Sequence, residues 1–480
     1  MTPAKPTVEN KYQRARELSG CAQDASATPA TAEPETPARR REDLRLRCVD
    51  RERVIPIPTR LEALLPADHL ARLIWVATAQ LDLTAFYAPI IVVIGGPGQA
   101  ATDPRILAAL WLYATSQGVT SARVLNDLCV EQLAYIWLCG GVSMNYHTLS
   151  DFRTQHLFAL DALLTEVLGC LDYAGLITYE HTAQDGMRVR ASAGAASFRR
   201  AATLEKCLAT AQAQVATLTA PAAATEPVAA RTQAARERAA AERVARLEAA
   251  LAELPAAQAA KPAAKQAEAR VSTTDPEARV MKMADGGFRP AYNFEFATDT
   301  AHRVIVGVDV TNAGSDKAEM APMIPQEQER CAQLPADWLV DGGFVSQAAL
   351  EAAADQDVRV LAPVPKPKDP TRDPALPLAT DSPVIADWRS RMATDEAKAT
   401  YKLRAATSEC VNAQARSQHG LLQLRVRGLV KALAVALWIA ITHDLLIWLH
   451  HLAPPTTDSA TVLAAADGAV DRPPQLAQGR

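Results

Sequence analysis

Tyr292-Asn-Phe-Glu-Phe296 and Val304-Ile-Val-Gly-Val-Asp-Val310, joined through Thr298-Asp-Thr-Ala-His302, decide the fold of this chain. Tyr292, Phe294 and Phe296 alternate with smaller or polar residues, and Val304, Val306, Val308 and Val310 repeat the pattern. Period-two alternation on both sides of a short polar turn specifies a β-hairpin. Working outward, Leu176 to Val189 reads as a strand ending near Asp185-Gly186. Leu339-Val340 and Val358 to Ala362 read as two more short strands, with a helix-like segment from Ser346 to Ala354 between them. The order is strand, insertion, hairpin, helix, strand, helix, strand, helix, which predicts a mixed α/β core.

Upstream the period changes to that of helices. Asp103-Pro104 places Pro at a first helical turn before Ile106, Leu107, Leu110, Leu112 and Tyr113. Gln117-Gly118 stops that helix and Ser121 caps the next, a pairing that serves either a helix-turn-helix touching DNA or an ordinary packing unit. Thr148 and Asp151 resemble a capping box before Phe152 to Leu168, with Gly175 as the stop. These signals predict an all-helical N-terminal domain over residues 50–174 and a mixed α/β domain over 175–450. Within the latter, 199–270 is rich in Ala, Arg and Glu. Leu204, Leu208, Ala211, Val215 and Leu218, then Val244, Leu247, Leu251 and Leu254, step by threes and fours, with Pro221, Pro227, Pro255 and Pro262 as breaks. A helical hairpin inserted into the sheet is expected. Residues 1–45 and 454–480 carry no apolar periodicity and are expected to be disordered tails.

A length of 480 residues accommodates several domains, and the net charge of −4 argues against a protein that coats nucleic acid by global attraction. Charge is local instead: from Asp387 to Lys431, nine Lys or Arg stand against four acids. The eight cysteines form no C-x-x-C pair, so neither a zinc site nor a disulfide framework is indicated. Met1 to Gly20 has no apolar signal segment, which predicts a cytoplasmic protein. The apolar stretch Leu429 to Leu449 is interrupted by Lys431, His443 and Asp444 and reads as a buried helix rather than a membrane span.

Three carboxylates stand out. Asp185 and Asp341 sit where strands are read to end, and Glu409 lies in a basic helical run, Tyr401-Lys-Leu-Arg404 to Asn412-Ala-Gln-Ala-Arg416. Mg²⁺ is held by one or two carboxylates plus waters and phosphate oxygens, and strand ends facing a helix hold acids rigidly enough for that work. Taken singly, an Asp before Gly is a turn residue and Glu409 is a partner for Arg404 or Arg416 on its own helix. Asp275, Asp285, Asp299, Asp309 and Asp316 are read as turn or cap residues, with Asp275-Pro276 as a helix start. Gly95-Gly-Pro-Gly98 lacks a following Lys-Ser/Thr and is read as a loop.

Over roughly residues 50 to 450 the chain resembles the DDE-type transposases of bacterial insertion sequences, specifically the group with a Tyr-Arg-Glu-Lys signature. The resemblance rests on Asn145 to Arg153, Ser272 to Lys282, Gly286 to Asn293, Trp338-Leu-Val-Asp-Gly-Gly-Phe344 and Tyr401 to Arg416. It implies a ribonuclease-H-like mixed sheet core in which Asp185, Asp341 and Glu409 are the catalytic, metal-binding acids. Tyr401, Arg404 and Arg416 would be the DNA-contacting members of the signature. Arg416 stands where lysine is usual, and the interval from Arg404 to Glu409 is one residue longer than in the signature's simplest form. The resemblance further implies Mg²⁺ (or Mn²⁺) as cofactor and double-stranded DNA as partner, namely the terminal inverted repeats of a mobile element and its target. A homo-oligomer on DNA, no membrane association and a cytoplasmic, nucleoid-associated location follow. The expected activity is strand cleavage and transfer, with two alternatives: a nuclease that cleaves without joining, and a DNA-binding protein with a decayed core.

Overall fold

The computed structural model describes residues 46–47, 60–219, 227–367 and 372–452, so both expected tails lie outside the described residues. The N-terminal part is built from α1 (Leu70–Ala77), α2 (Thr84–Tyr87), α3 (Pro104–Ser116), α4 (Ala122–Glu131), α5 (Leu133–Cys139), α6 (Tyr146–Gln155) and α7 (Leu157–Tyr173). It is not wholly helical, because β1 (Leu46–Arg47) pairs in parallel with β2 (Ala101–Thr102). Helix α3 begins as its sequence requires: Asp103 accepts from the Arg105 amide at 2.9 Å and Pro104 takes the first turn. Ser121 caps α4 through the Val124 amide at 3.4 Å. The Thr148 capping box does not form. Helix α6 starts earlier, where Asn145 accepts from the His147 amide at 2.9 Å, and the chain breaks at His156 before α7.

The turn at Gly118 packs against the chain itself. Its φ is +69°, and a Cβ there would stand 3.0 Å from the Gln418 carbonyl oxygen. Only a glycine combines that left-handed backbone with so close an approach. The α3–α4 turn is therefore a packing joint.

The sheet has the order β10-β9-β3-β7-β6, with β8 on the same edge of β7 as β6. Its strands are β3 (His181–Arg190), β6 (Arg279–Lys282), β7 (Phe288–Asp299), β8 (Ile305–Thr311), β9 (Asp337–Leu339) and β10 (Arg359–Leu361). β3, β7 and β8 run antiparallel in succession, whereas β9 and β10 run parallel to β3. The hairpin read from residues 292–310 is β7 and β8, and Asp299 closes it by accepting from the Ala301 and His302 amides. Between β3 and β6, β4 (Phe198–Arg199) pairs with β5 (Val271–Ser272) and clamps the base of a helical pair, α8 (Ala201–Thr219) and α9 (Pro227–Ala259). This pair has its own small core of Leu204, Ala211, Leu247, Ala250 and Leu254. Pro255 does not break α9. It stands four residues before the end of α9, so only the last turn lies beyond the backbone bond that it removes.

The remaining helices are α10 (Ile324–Cys331), α11 (Gln347–Ala354), α12 (Pro383–Ala393), α13 (Asp395–Arg404), α14 (Cys410–Ser417) and α15 (Leu429–Leu452). Helix α15 is long and apolar enough to cross a membrane by length and composition, yet most of it is buried inside the protein. It packs on α3, α6, α7 and β8, and so joins the helical part to the sheet in one continuous core. Its buried Asp444 accepts from the Ile305 amide at 2.9 Å, and its Trp438 indole donates to the Arg153 carbonyl at 3.1 Å. Asp275 is no helix start: it is fully buried and accepts from the Tyr292 hydroxyl at 2.7 Å and the Gly428 amide at 3.1 Å.

Candidate active site

Parallel pairing sets the site. In β3 and β9, His181 stands opposite Asp337, Thr182 opposite Trp338 and Ala183 opposite Leu339. Continued for two residues, that register puts Asp185 opposite Asp341, just past the last paired positions. Side chains two residues apart share a face, so Asp185 lies on the face of Ala183; Asp341 follows two residues after the end of β9, close enough for its charge to raise Asp185. Ala183, Leu339, Leu361 and Ala397 form a small apolar floor beside them, with Met392 and Tyr401 against it. Asp185 is not at a strand end, because its pairing with β7 continues through Val189 to Arg190. What ends near it is β9.

The helical run 395–417 covers this face, and it is not one regular helix. Between α13 and α14 the five residues Ala405–Glu409 form a π-turn, within the interval that is one residue longer than the simplest signature. Arg404, before the turn, places Nη1 3.6 Å from Asp185 Oδ1, a charge contact too long for a hydrogen bond. Asn412, after the turn, donates from Nδ2 to Asp185 Oδ2 at 3.2 Å. Burial lifts the Asp185 carboxyl to about 6; the charges of Asp341 and Asp316 push the same way, while Arg404 and the Gly186 amide oppose. Burial likewise raises the Tyr401 phenol, and Asp341 and Asp185 add to this against Arg404.

Of the residues singled out from sequence, the structure brings together Asp185, Asp341, Tyr401 and Arg404. Glu409 is exposed and makes no hydrogen bond or ion pair with Asp185 or Asp341. Arg416 is half-buried in the last turn of α14, about two turns beyond Glu409. Arg404 meets a carboxylate, and its neighbours in the basic window are also paired: Arg389 with Asp381 at 2.7 Å and Arg391 with Asp387 at 2.5 Å. The exposed cations there include Lys402, Arg425 and Arg427.

Two residues were missed. Asn412 carries no charge, and its one legible signal is its position three residues after Glu409. Asp316, read as a turn residue, stands beneath the site. It accepts from Asn293 Nδ2 at 2.6 Å, pairs with Arg188 at 3.2 Å, and would lie 3.7 Å from a Cβ at Gly343, the position that Asp341 Oδ1 would approach to 2.8 Å. On this opposite face of β3 and β7, Asn293 also donates to buried Glu295 at 2.6 Å. Gln184 donates to Glu295 at 3.2 Å and to the Glu319 carbonyl at 3.0 Å, and accepts from the Trp338 indole at 3.1 Å. Burial, with the charges of Asp316 and Glu319, pushes the Glu295 carboxyl well above its ordinary range.

No group of three His, Cys, Asp or Glu side chains is drawn together around a common metal position among the described residues. The acids whose chemistry fits a hard divalent cation are the paired Asp185 and Asp341. Burial first, and the charge of Asp341 to a lesser degree, raise the Asp185 carboxyl, and a bound cation would relieve both.

A family model described as "Transposase domain (DUF772)" matches residues 59–155. That span runs to the end of α6 and excludes every site carboxylate. No curated protein and no solved structure matches the chain. The match supports a transposase, a DNA-processing enzyme with a role in DNA transposition.

Proposed function

We propose that the chain is a DDE-type transposase that cleaves and transfers DNA strands at the ends of its mobile element with Mg²⁺ (or Mn²⁺). The observation that carries this reading is the β3–β9 register, which aligns Asp185 with Asp341 under a helix bearing Glu409. A central strand carrying the first acid, flanked by an antiparallel hairpin on one side and two parallel strands on the other, supports a ribonuclease-H-like core. The bound metal would activate a water or 3′-hydroxyl and stabilise the leaving oxygen of an in-line displacement. The protein's part is preorganisation. Asp185 and Asp341 would hold the cation; Arg404 and Asn412 each contact one oxygen of Asp185 and so fix its carboxylate plane. Glu409 is the third acid, facing the space that DNA would fill. Tyr401 closes the apolar floor at the edge of the site, and Arg416 with exposed Lys402, Arg425 and Arg427 would contact the phosphate backbone. Duplex DNA bearing the element's terminal repeats would be the partner of a homo-oligomer working in the cytoplasm, at the nucleoid.

The test is strand cleavage of a plasmid carrying the DNA that flanks the gene, with Mg²⁺ or EDTA, for the parent protein and Asp341→Ala. Metal-dependent nicks at the element ends, joined products from the parent, and end-binding without cleavage by the variant are expected. Cleavage retained by Asp341→Ala would sink the site assignment.

A further inference from the structure

Resting on that reading, we infer that the π-turn Ala405–Glu409 is a register device that delivers Glu409 to the Asp185–Asp341 pair. Arg404 and Asn412 lie on opposite sides of this turn, yet both reach the same carboxylate, Asp185. In an unbroken α-helix, residues eight apart point about 80° away from each other, because each residue advances the helix by about 100°. A π-turn accommodates one additional residue within one turn, so eight residues count as seven and the two directions come within about 20°. That near-alignment is what the two contacts to Asp185 require.

The same geometry fixes Glu409. In a straight helix it would point about 140° from Arg404, towards the far side. With the additional residue absorbed, it points about 40° from Arg404 and about 60° from Asn412, on the side that faces the sheet acids. Ser408, which a straight helix would present in its place, is instead buried. Exposure of Glu409, with no partner among the described residues, fits an acid that faces an open cleft. The turn is built from Ala405 and Ala406, both exposed, and from Thr407 and Ser408, both buried, so the wide turn is held by what packs beneath it.

The experiment uses the full chain and two length variants, read by Mn²⁺ binding (electron paramagnetic resonance, the metal alone) and by strand cleavage. Deleting Ala406 turns the π-turn into an α-turn and leaves both flanks in phase. Mn²⁺ affinity within about threefold and cleavage within about tenfold of the parent are expected. Inserting an Ala after Ala406 overfills the turn and swings Glu409 off the face. A loss of Mn²⁺ affinity of about tenfold or more and of kcat by about 100-fold is expected, with the KM for DNA and the thermal midpoint unchanged. A folded insertion variant that binds and cuts like the parent overturns the inference, as does a folded deletion variant that loses as much as the insertion. If the deletion does not fold, the insertion decides alone. Glu409→Gln separates the two levels. Unaltered binding and cleavage in that variant would remove Glu409 from the site and the inference with it. A defective Glu409→Gln beside a fully active insertion variant would overturn the register device alone and leave the metal-site reading standing.

Discussion

The two faces of β3 and β7 are built from alternate residues of the same strands and do opposite work. One face carries Ala183, Asp185, Met187 and Val189 beside Tyr292, Phe294 and Phe296, an apolar bed with one carboxylate lodged in it. The other carries Thr182, Gln184, Gly186 and Arg188 beside Asn293, Glu295 and Ala297, and it is polar yet almost as dry. On the first face Asp185 is held by the Gly186 amide, Asn412 and Arg404, two of them from a covering helical run, beside the charge of Asp341; on the second, Glu295 and Asp316 share the Asn293 amide within the sheet and its own loops. The difference shows that burial alone does not mark a site. A half-buried carboxylate set beside a second one, under a helical run that bears cations, is the better marker.

The comparison breaks if the faces respond alike to mutation. The largest effect is expected on the site face, where Asp341→Ala should lower strand cleavage about 1000-fold or more. Its urea midpoint should be unchanged or slightly raised, because a charge repelling Asp185 is removed; a large loss of stability would show Asp341 to be structural. On the other face, Asn293→Ala should leave Glu295 and Asp316 without their shared donor and cost about 3 kcal/mol in urea unfolding. Gly186→Ala sharpens the point, since its Cβ would fall 2.6 Å from Glu295 Oε1 and 2.9 Å from Asp316 Oδ1. A cost of about 2 kcal/mol is expected, and a neutral substitution would mean that the network yields easily.

The smallest effect concerns pH. Glu327 lies in α10, accepts from Thr182 at 3.1 Å, and is raised by burial, with Asp299 adding, from an ordinary 4.5 to about 8. Between those values the folded chain keeps a proton that the unfolded chain releases, so this group's contribution to stability falls as pH rises from about 4.5 to about 8 and is level above. Glu327→Gln should therefore flatten the decline in melting temperature across that window. A parallel decline in both proteins would show that Glu327 does not carry it.

Much of the fold was legible because short-range rules govern it. The hairpin followed from alternation over residues 292–310, α3 from Asp103-Pro104, and the buried nature of α15 from Lys431, His443 and Asp444. Apart from the cap of α6, the misreadings occurred where distant segments intervene. Alternation in β7 is normally a wet and a dry face, but here α10 and the Asp316 loop cover the polar side, so Asn293 and Glu295 are buried. Asp275 looked like a local cap because Pro276 follows it; its partners, Tyr292 and Gly428, are 17 and 153 residues away. Asn145 took the cap expected of Thr148 because its side chain reached a free amide one turn earlier.

The sequence by itself marked Asp185, Asp341 and Glu409 as candidate acids, and offered Tyr401, Arg404 and Arg416 as their companions only through the family resemblance. Residue type and local periodicity suffice to mark the acids, since both act within a few positions of the chain. Only the tertiary structure decided that β9 pairs with β3 in parallel next to Asp185, that Asn412 and Asp316 stand near that residue, and that a π-turn separates Arg404 from Asn412. Strand register and helix phase are fixed by packing between segments far apart in sequence, where a shift of one residue turns a side chain to another face at almost no local cost.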